Sequence, residues 1–190
     1  MGRIITFTGA SGSGKSTIVK ELLNDSNYKI VLSITTREKR ESDLLGEYNY
    51  ISLRDFEELD RSKQFAWSTP LVHGNKYGTL KESILETLTD DRNNLMILIP
   101  EVIPILRRIS PVNVYSFYIK SPSEKVLVKR LTERGDSQES IDKRILECKD
   151  YDAKIEASRS KDKIDYKIIT NEGPLEVTIK EVLRKIQEFN

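Results

Sequence analysis

The run Ile4-Ile5-Thr6-Phe7-Thr8-Gly9-Ala10-Ser11-Gly12-Ser13-Gly14-Lys15-Ser16-Thr17-Ile18-Val19-Lys20-Glu21-Leu22-Leu23 decides the architecture. Its first five residues are apolar or β-branched and stop at a glycine, and Ile18, Val19, Leu22 and Leu23 then take up helical spacing. The order is strand, loop, helix. Between strand and helix, Gly9 to Ser16 match G-x-x-x-x-G-K-[ST], in the context that gives this motif its meaning. Glycines let successive backbone N–H groups converge on a phosphate, and the helix behind them adds the positive end of its dipole. Gly9, Ala10, Ser11, Gly12, Ser13 and Gly14 are expected to form that cradle, with Thr17 just inside the helix. Lys15 supplies a movable charge for the β and γ phosphates, and the Ser16 hydroxyl can ligate Mg²⁺. The expectation is a nucleotide site for ATP with Mg²⁺.

Working outward, apolar runs at 30–34, 95–99, 112–119 and 166–170 read as further buried strands. Thr79-Leu80-Lys81-Glu82 and Ser121-Pro122-Ser123-Glu124 have the capping-box form, which predicts helices beginning near Leu80 and Pro122. Ile141, Ile145, Cys148 and Ile155 mark the apolar face of one long helix, and Leu175, Ile179, Val182, Leu183 and Ile186 that of the last. Alternating strands and helices imply a parallel sheet covered on both faces. The stretch from about Arg37 to Gly78 breaks the rhythm, with alternation at 47–53 and a short helix after Ser52, and reads as a small inserted lobe.

Composition narrows the function classes. The chain has 190 residues, 31 Lys and Arg against 30 Asp and Glu, and a formal net charge of +1. That balance argues against a dedicated nucleic-acid binder, which would carry a basic excess over a whole face. With 37% hydrophobic and 32% charged residues, the chain can fill one core and keep a charged surface. One cysteine, Cys148, and one histidine, His73, exclude an intramolecular disulfide and a cysteine- or histidine-rich metal centre. No apolar run approaches the roughly 20 residues that a membrane helix needs, so a cytoplasmic location without membrane contact is expected. The start Met1-Gly2-Arg3-Ile4-Ile5-Thr6 fits an acylation pattern, against which stands the strand at 4–8.

A phosphate loop alone admits GTPases, motor ATPases and small-molecule kinases, so the inserted lobe has to choose. Ser33-Ile34-Thr35-Thr36-Arg37-Glu38-Lys39-Arg40, Gly46-Glu47-Tyr48-Asn49-Tyr50 and Gly74-Asn75-Lys76-Tyr77-Gly78-Thr79 form a second polar cluster. Two arginines three apart with tyrosines nearby suit a second anion, because arginine forks grip phosphate oxygens and phenols add neutral donors. The same residues would also serve as a solvated basic turn over packed tyrosines.

Taken together, these segments resemble the guanylate kinase family, P-loop enzymes that move the γ-phosphate of ATP onto GMP, over nearly the whole chain as far as Asn171. The resemblance implies a three-layer α/β sandwich with a central parallel sheet, an inserted monophosphate-binding lobe at 35–79 and a helical lid at 129–159. The core would be 1–34, 80–128 and 160–190, all in one domain. It implies that Ser33, Arg37, Arg40, Tyr48, Tyr77 and Thr79 bind the acceptor nucleotide. In Lys129-Arg130-Leu131-Thr132-Glu133-Arg134-Gly135 and Ile141-Asp142-Lys143-Arg144 it implies lid arginines Arg130, Arg134 and Arg144 over the ATP phosphates, and it places Asn171 beside the adenine. Lys15, Arg37, Arg134 and Arg144 would carry catalysis, with ATP and a nucleoside monophosphate as partners and a monomer or homodimer as the assembly. His73 is read as a surface residue.

The chain departs from the family pattern where guanine is read. Family members carry an acid after the Glu/Gln-Phe pair and a D-x-D at the end of the third core strand. Here those stretches are Phe65-Ala66-Trp67-Ser68-Thr69-Pro70 and Leu98-Ile99-Pro100, which leaves Glu101 as a weak substitute and Trp67 as lobe core or a stacking platform. Losing carboxylates that pair with a substrate edge should relax or redirect base choice. The expectation is therefore GMP accepted poorly or replaced by a pyrimidine or modified deoxynucleotide. Ribose 1,5-bisphosphate, or a non-catalytic phosphopeptide-binding role, would be further alternatives.

Overall fold

The computed structural model describes residues 2–41, 43–70, 74–110, 112–133 and 135–189. In chain order the elements are β1 (Arg3–Thr8), α1 (Lys15–Leu22), β2 (Tyr28–Ile30), β3 (Ser33–Thr35), β4 (Tyr48–Tyr50), α2 (Leu53–Arg61), β5 (Phe65–Ser68), β6 (Tyr77–Leu80) and α3 (Lys81–Leu85). Then come β7 (Asn93–Ile97), α4 (Ile103–Ile109), β8 (Val114–Lys120), α5 (Glu124–Glu133), α6 (Gln138–Asp162), β9 (Tyr166–Thr170) and α7 (Leu175–Gln187). A parallel five-stranded sheet has the order β2-β7-β1-β8-β9, and a second, four-stranded sheet has the order β4-β3-β6-β5. The central place of β1 explains its composition: Ile4, Ile5 and Phe7 are all fully buried, as a strand covered on both faces requires.

The chain divides into two compact units, 1–5 with 23–96 and 105–114, and 6–22 with 97–104 and 115–190. In the first, β3 runs parallel to β4 and antiparallel to β6, which pairs antiparallel with β5. Helix α2 starts at Ser52, whose hydroxyl accepts from the Asp55 N–H, the cap expected of serine. It buries Phe56 against Phe65, with ring centroids 4.5 Å apart, in a cluster with Ile34. In the second, α5 and α6 pack through Leu127, Leu131 and Ile141, and Ile145 and Cys148 lie against that cluster. The 25-residue α6 and the 13-residue α7 follow the apolar spacing read from the sequence.

Four local expectations are corrected. The run 30–34 is two strands: β2 lies in the five-stranded sheet and β3 in the four-stranded one, and the Val31 N–H still donates to Leu95 O at 2.9 Å before the chain turns away. Strand β7 ends at Ile97: the Leu98 N–H still donates to Phe7 O of the neighbouring β1, and a 3₁₀ turn then begins at Pro100. Helix α5 starts at Glu124, two residues beyond Pro122, since the Ser123 N–H donates to the Glu172 carboxylate and Ser121 is bonded to Cys148, so no capping box forms. At α3 the cap position is Leu80, which has no side-chain cap. Among the described residues no helix is long and apolar enough to cross a membrane.

Phe56 is fully buried and carries the packing of α2 on its sheet. Phe56→Ala should lower unfolding free energy by about 3–5 kcal/mol through lost transfer energy and a cavity, read as a lower urea midpoint at unchanged denaturant slope.

Candidate functional site

The loop between β1 and α1 is held in a conformation that only small residues allow. Gly14 has φ +95°, and a Cβ there would lie 2.2 Å from Asn171 Nδ2. A Cβ on Gly9 would lie 2.3 Å from Ile119 O, so the backbone approaches β8 at a distance no side chain permits. The buried Asn171 amide ties the loop down: Nδ2 donates to Ser13 O at 2.9 Å, and Oδ1 accepts from the Thr178 hydroxyl of α7 at 3.1 Å. Both ends of the amide, expected beside an adenine, are thus engaged within the protein. Lys15 Nζ reaches back over the loop to Ala10 O at 2.8 Å and Ser13 Oγ at 3.5 Å. Ser16 and Thr17 stand exposed in the first turn of α1.

Of the arginines expected in a lid, Arg144 on α6 donates from Nη1 to the Ser11 hydroxyl of the loop, from Nε to Ser140 Oγ at 3.3 Å, and pairs with Asp136 at 3.5 Å. Arg130 is half-buried on α5. Arg134 and His73 lie outside the described residues. Further along α6, the Tyr118 hydroxyl donates to Asp152 and the Ser121 hydroxyl to Cys148 Sγ at 3.1 Å. Burial pushes the Cys148 thiol up, so it stays protonated and packed. Where the family would present acids after β7, Leu98 and Pro100 are buried, and the exposed Glu101 is ion-paired with Lys154 at 3.1 Å.

A second polar cluster gathers around Arg37, beside the four-stranded sheet. Arg37 follows β3 and is only 8% exposed. Its Nη1 and Nη2 donate to the two oxygens of Asp43 at 2.9 Å each, and Nη1 also donates to Glu38 O at 2.7 Å. The Tyr48 ring lies under the guanidinium, with Cζ 5.4 Å from its centroid, and Tyr77 meets Tyr48 edge-on at 6.1 Å. Tyr50 donates its hydroxyl to Asp43 at 2.9 Å, and so does the Arg40 N–H at 2.7 Å, while the Arg40 side chain is exposed.

The electrostatics follow from that contact list. Burial opposes the Arg37 charge, but the Asp43 pair outweighs it and holds Arg37 above its usual range. Burial likewise works against Asp43 ionising, yet Arg37, the Arg40 N–H and Tyr50 hold it below the ordinary carboxylate range. Burial and then Asp43 push Tyr50 up to about 12, and burial with Glu47 raises Tyr48. Both phenols are therefore neutral donors at physiological pH. Ser33 and Thr79, on neighbouring strands, form a buried hydroxyl pair at 2.9 Å. Trp67 is buried with its indole N–H lacking a protein partner among the described residues. Sequence reasoning missed Asp43 and Tyr50, because a single acid in a polar loop carries no spacing signal until the turn folds it onto Arg37.

Comparison with known proteins is consistent from end to end. The guanylate kinase family profile matches residues 1–189. Guanylate kinase of Mycoplasmoides gallisepticum is 34% identical over 196 aligned positions, covering 100% of this chain and 94% of that protein. Guanylate kinases of Bartonella henselae and Brucella melitensis are 36% and 37% identical, each over 76% of this chain. The aligned part spans about two thirds of their length, 65% and 67%. The crystal structure of guanylate kinase from Anaplasma phagocytophilum superposes with a TM-score of 0.69 over 98% of this chain and 85% of that one, at 20% identity, so the fold is the same. From the loop at Gly9 to the last helix, the chain belongs to the guanylate kinase family.

Proposed function

We propose that this protein transfers the γ-phosphate of ATP to GMP. The observation that carries the reading is the presence, in one family member, of an intact phosphate loop with Lys15 and a buried arginine, Arg37, flanked by neutral tyrosine donors. Phosphoryl transfer needs little covalent help from a protein: it needs aligned phosphates, neutralised charge and excluded water. The loop N–H groups and Lys15 hold the donor's phosphates, with Lys15 exchanging its contacts to Ala10 and Ser13 for phosphate oxygens. Arg144, Arg130 and Arg134 supply the charge that stabilises the transferring group. Ser33, Arg37, Arg40, Tyr48 and Tyr77 hold the acceptor's phosphate, with Thr79, bonded to Ser33, completing the acceptor site. Asn171 acts by fixing the loop backbone.

Mg²⁺ fits this arrangement modestly. Ser16 offers one hard, exposed oxygen, and no cluster of three acidic or histidine ligands occurs among the described residues, in keeping with an ion that keeps several waters and binds mainly to triphosphate oxygens. When bound, it would neutralise charge on the β and γ phosphates. Free nucleotides are cytoplasmic substrates, so the reading puts the protein in the cytoplasm.

GMP is favoured over the pyrimidine, ribose bisphosphate and phosphopeptide alternatives by the guanylate kinase relatives across the chain. The missing acids at 66–70 and 98–100 then make guanine recognition rest on other groups. A coupled assay across the common nucleoside monophosphates should give its highest kcat/KM with GMP, and a pyrimidine substrate ahead of it would overturn the assignment. Lys15→Ala should reduce kcat by about 10²–10³, the loss seen when one preorganised charge or donor is removed from a transition state. Arg37→Ala should raise the GMP KM at least about tenfold while the ATP KM moves less than about twofold. Equal effects on both would show that Arg37 does not hold the acceptor.

A further inference from the structure

The Arg37 guanidinium is restrained on three sides. Its Nη1–Nη2 edge is taken by both oxygens of Asp43, the outer Nη1 hydrogen by Glu38 O, and one face by the Tyr48 ring. The remaining edge carries the Nε–H and the second Nη2–H, a parallel pair of donors of the kind that matches two oxygens of a phosphate. Tyr77 further favours the charged form of Arg37 through its hydroxyl. Asp43 is itself fixed by the Tyr50 hydroxyl and the Arg40 N–H, so the restraint extends to a second ring and to the backbone of the second arginine.

From this geometry we propose that Asp43 is a positioning residue for the acceptor: gripping Arg37 end-on, it aims the Nε/Nη2 edge at the incoming phosphate. The inference rests on the assignment of Arg37 to that phosphate. It is not a statement about stability, for which a buried ion pair is weak warrant. A rival arrangement makes a distinct prediction. Were Asp43 an internal substitute that the phosphate must expel, neutralising it would strengthen acceptor binding.

The test is steady-state kinetics with ATP and GMP on the full chain, with thermal unfolding alongside. Asp43→Asn should raise the GMP KM about tenfold, with kcat and the ATP KM within about twofold, because an unaimed fork loses ground-state and transition-state binding alike. Asp43→Glu should recover part of the loss. In an Arg37→Ala background Asp43→Asn should add nothing further, as expected when two residues act as one unit. Tyr50→Phe, which loosens Asp43 and leaves its charge in place, should raise the same KM by about two- to threefold. It carries the test if the asparagine variant does not fold. An unchanged or lowered GMP KM in Asp43→Asn or Tyr50→Phe, or an equal rise with and without Arg37, overturns the proposal. If Arg37→Ala alone leaves the GMP KM untouched, what fails is the assignment of Arg37, and the two failures are thereby told apart.

Discussion

A backbone cradle of inward-pointing N–H groups exists only while no side chain occupies the space it needs, and that steric condition governs the nucleotide loop. Two neighbours impose it, the Ile119 carbonyl against Gly9 and the Asn171 amide against Gly14. Because the loop is pinned by these contacts and by the Asn171 bond to Ser13, its shape precedes any ligand. Lys15 meanwhile lies over the loop on Ala10 O, a neutral acceptor that a phosphate oxygen would outcompete, since it adds the attraction between opposite charges to the hydrogen bond.

The lobe built on the four-stranded sheet meets a different constraint, that of keeping a buried cation charged. Arg37 is nearly covered, and an isolated charge in such a place would carry a heavy desolvation cost. Asp43 offsets it, Tyr50 and the Arg40 N–H saturate the carboxylate, and the tyrosines stay protonated. The lobe's hydrophobic support is separate: Phe56, Phe65 and Ile34 pack the helix on the sheet.

The loop, the long helix α6 and the last helix were legible in the sequence because each depends on local rules, a motif with fixed spacing or an apolar stripe at helical period. The misread elements were those decided by distant partners. Nothing within 30–34 announces that Tyr28–Ile30 will pair with β7 while Ser33–Thr35 joins β4 and β6 in another sheet. Likewise Ser123 reads as part of a capping box until Glu172, far along the chain, takes its N–H. That Arg37, Tyr48 and Tyr77 would gather in one polar cluster was readable, yet the restraint on Arg37 was not. Asp43 gains meaning only from the turn that folds it back.

Asn171 and Thr178 also order events in time. The nucleotide loop is synthesised before the amide that fixes Ser13, which lies 158 residues further along the chain, and before the hydroxyl that holds that amide; beyond them Phe189 stacks on Tyr115 at 4.1 Å. A nascent chain still lacking α7 therefore carries the complete motif without its clasp. Synthesis must pass Thr178 before the loop acquires its anchor.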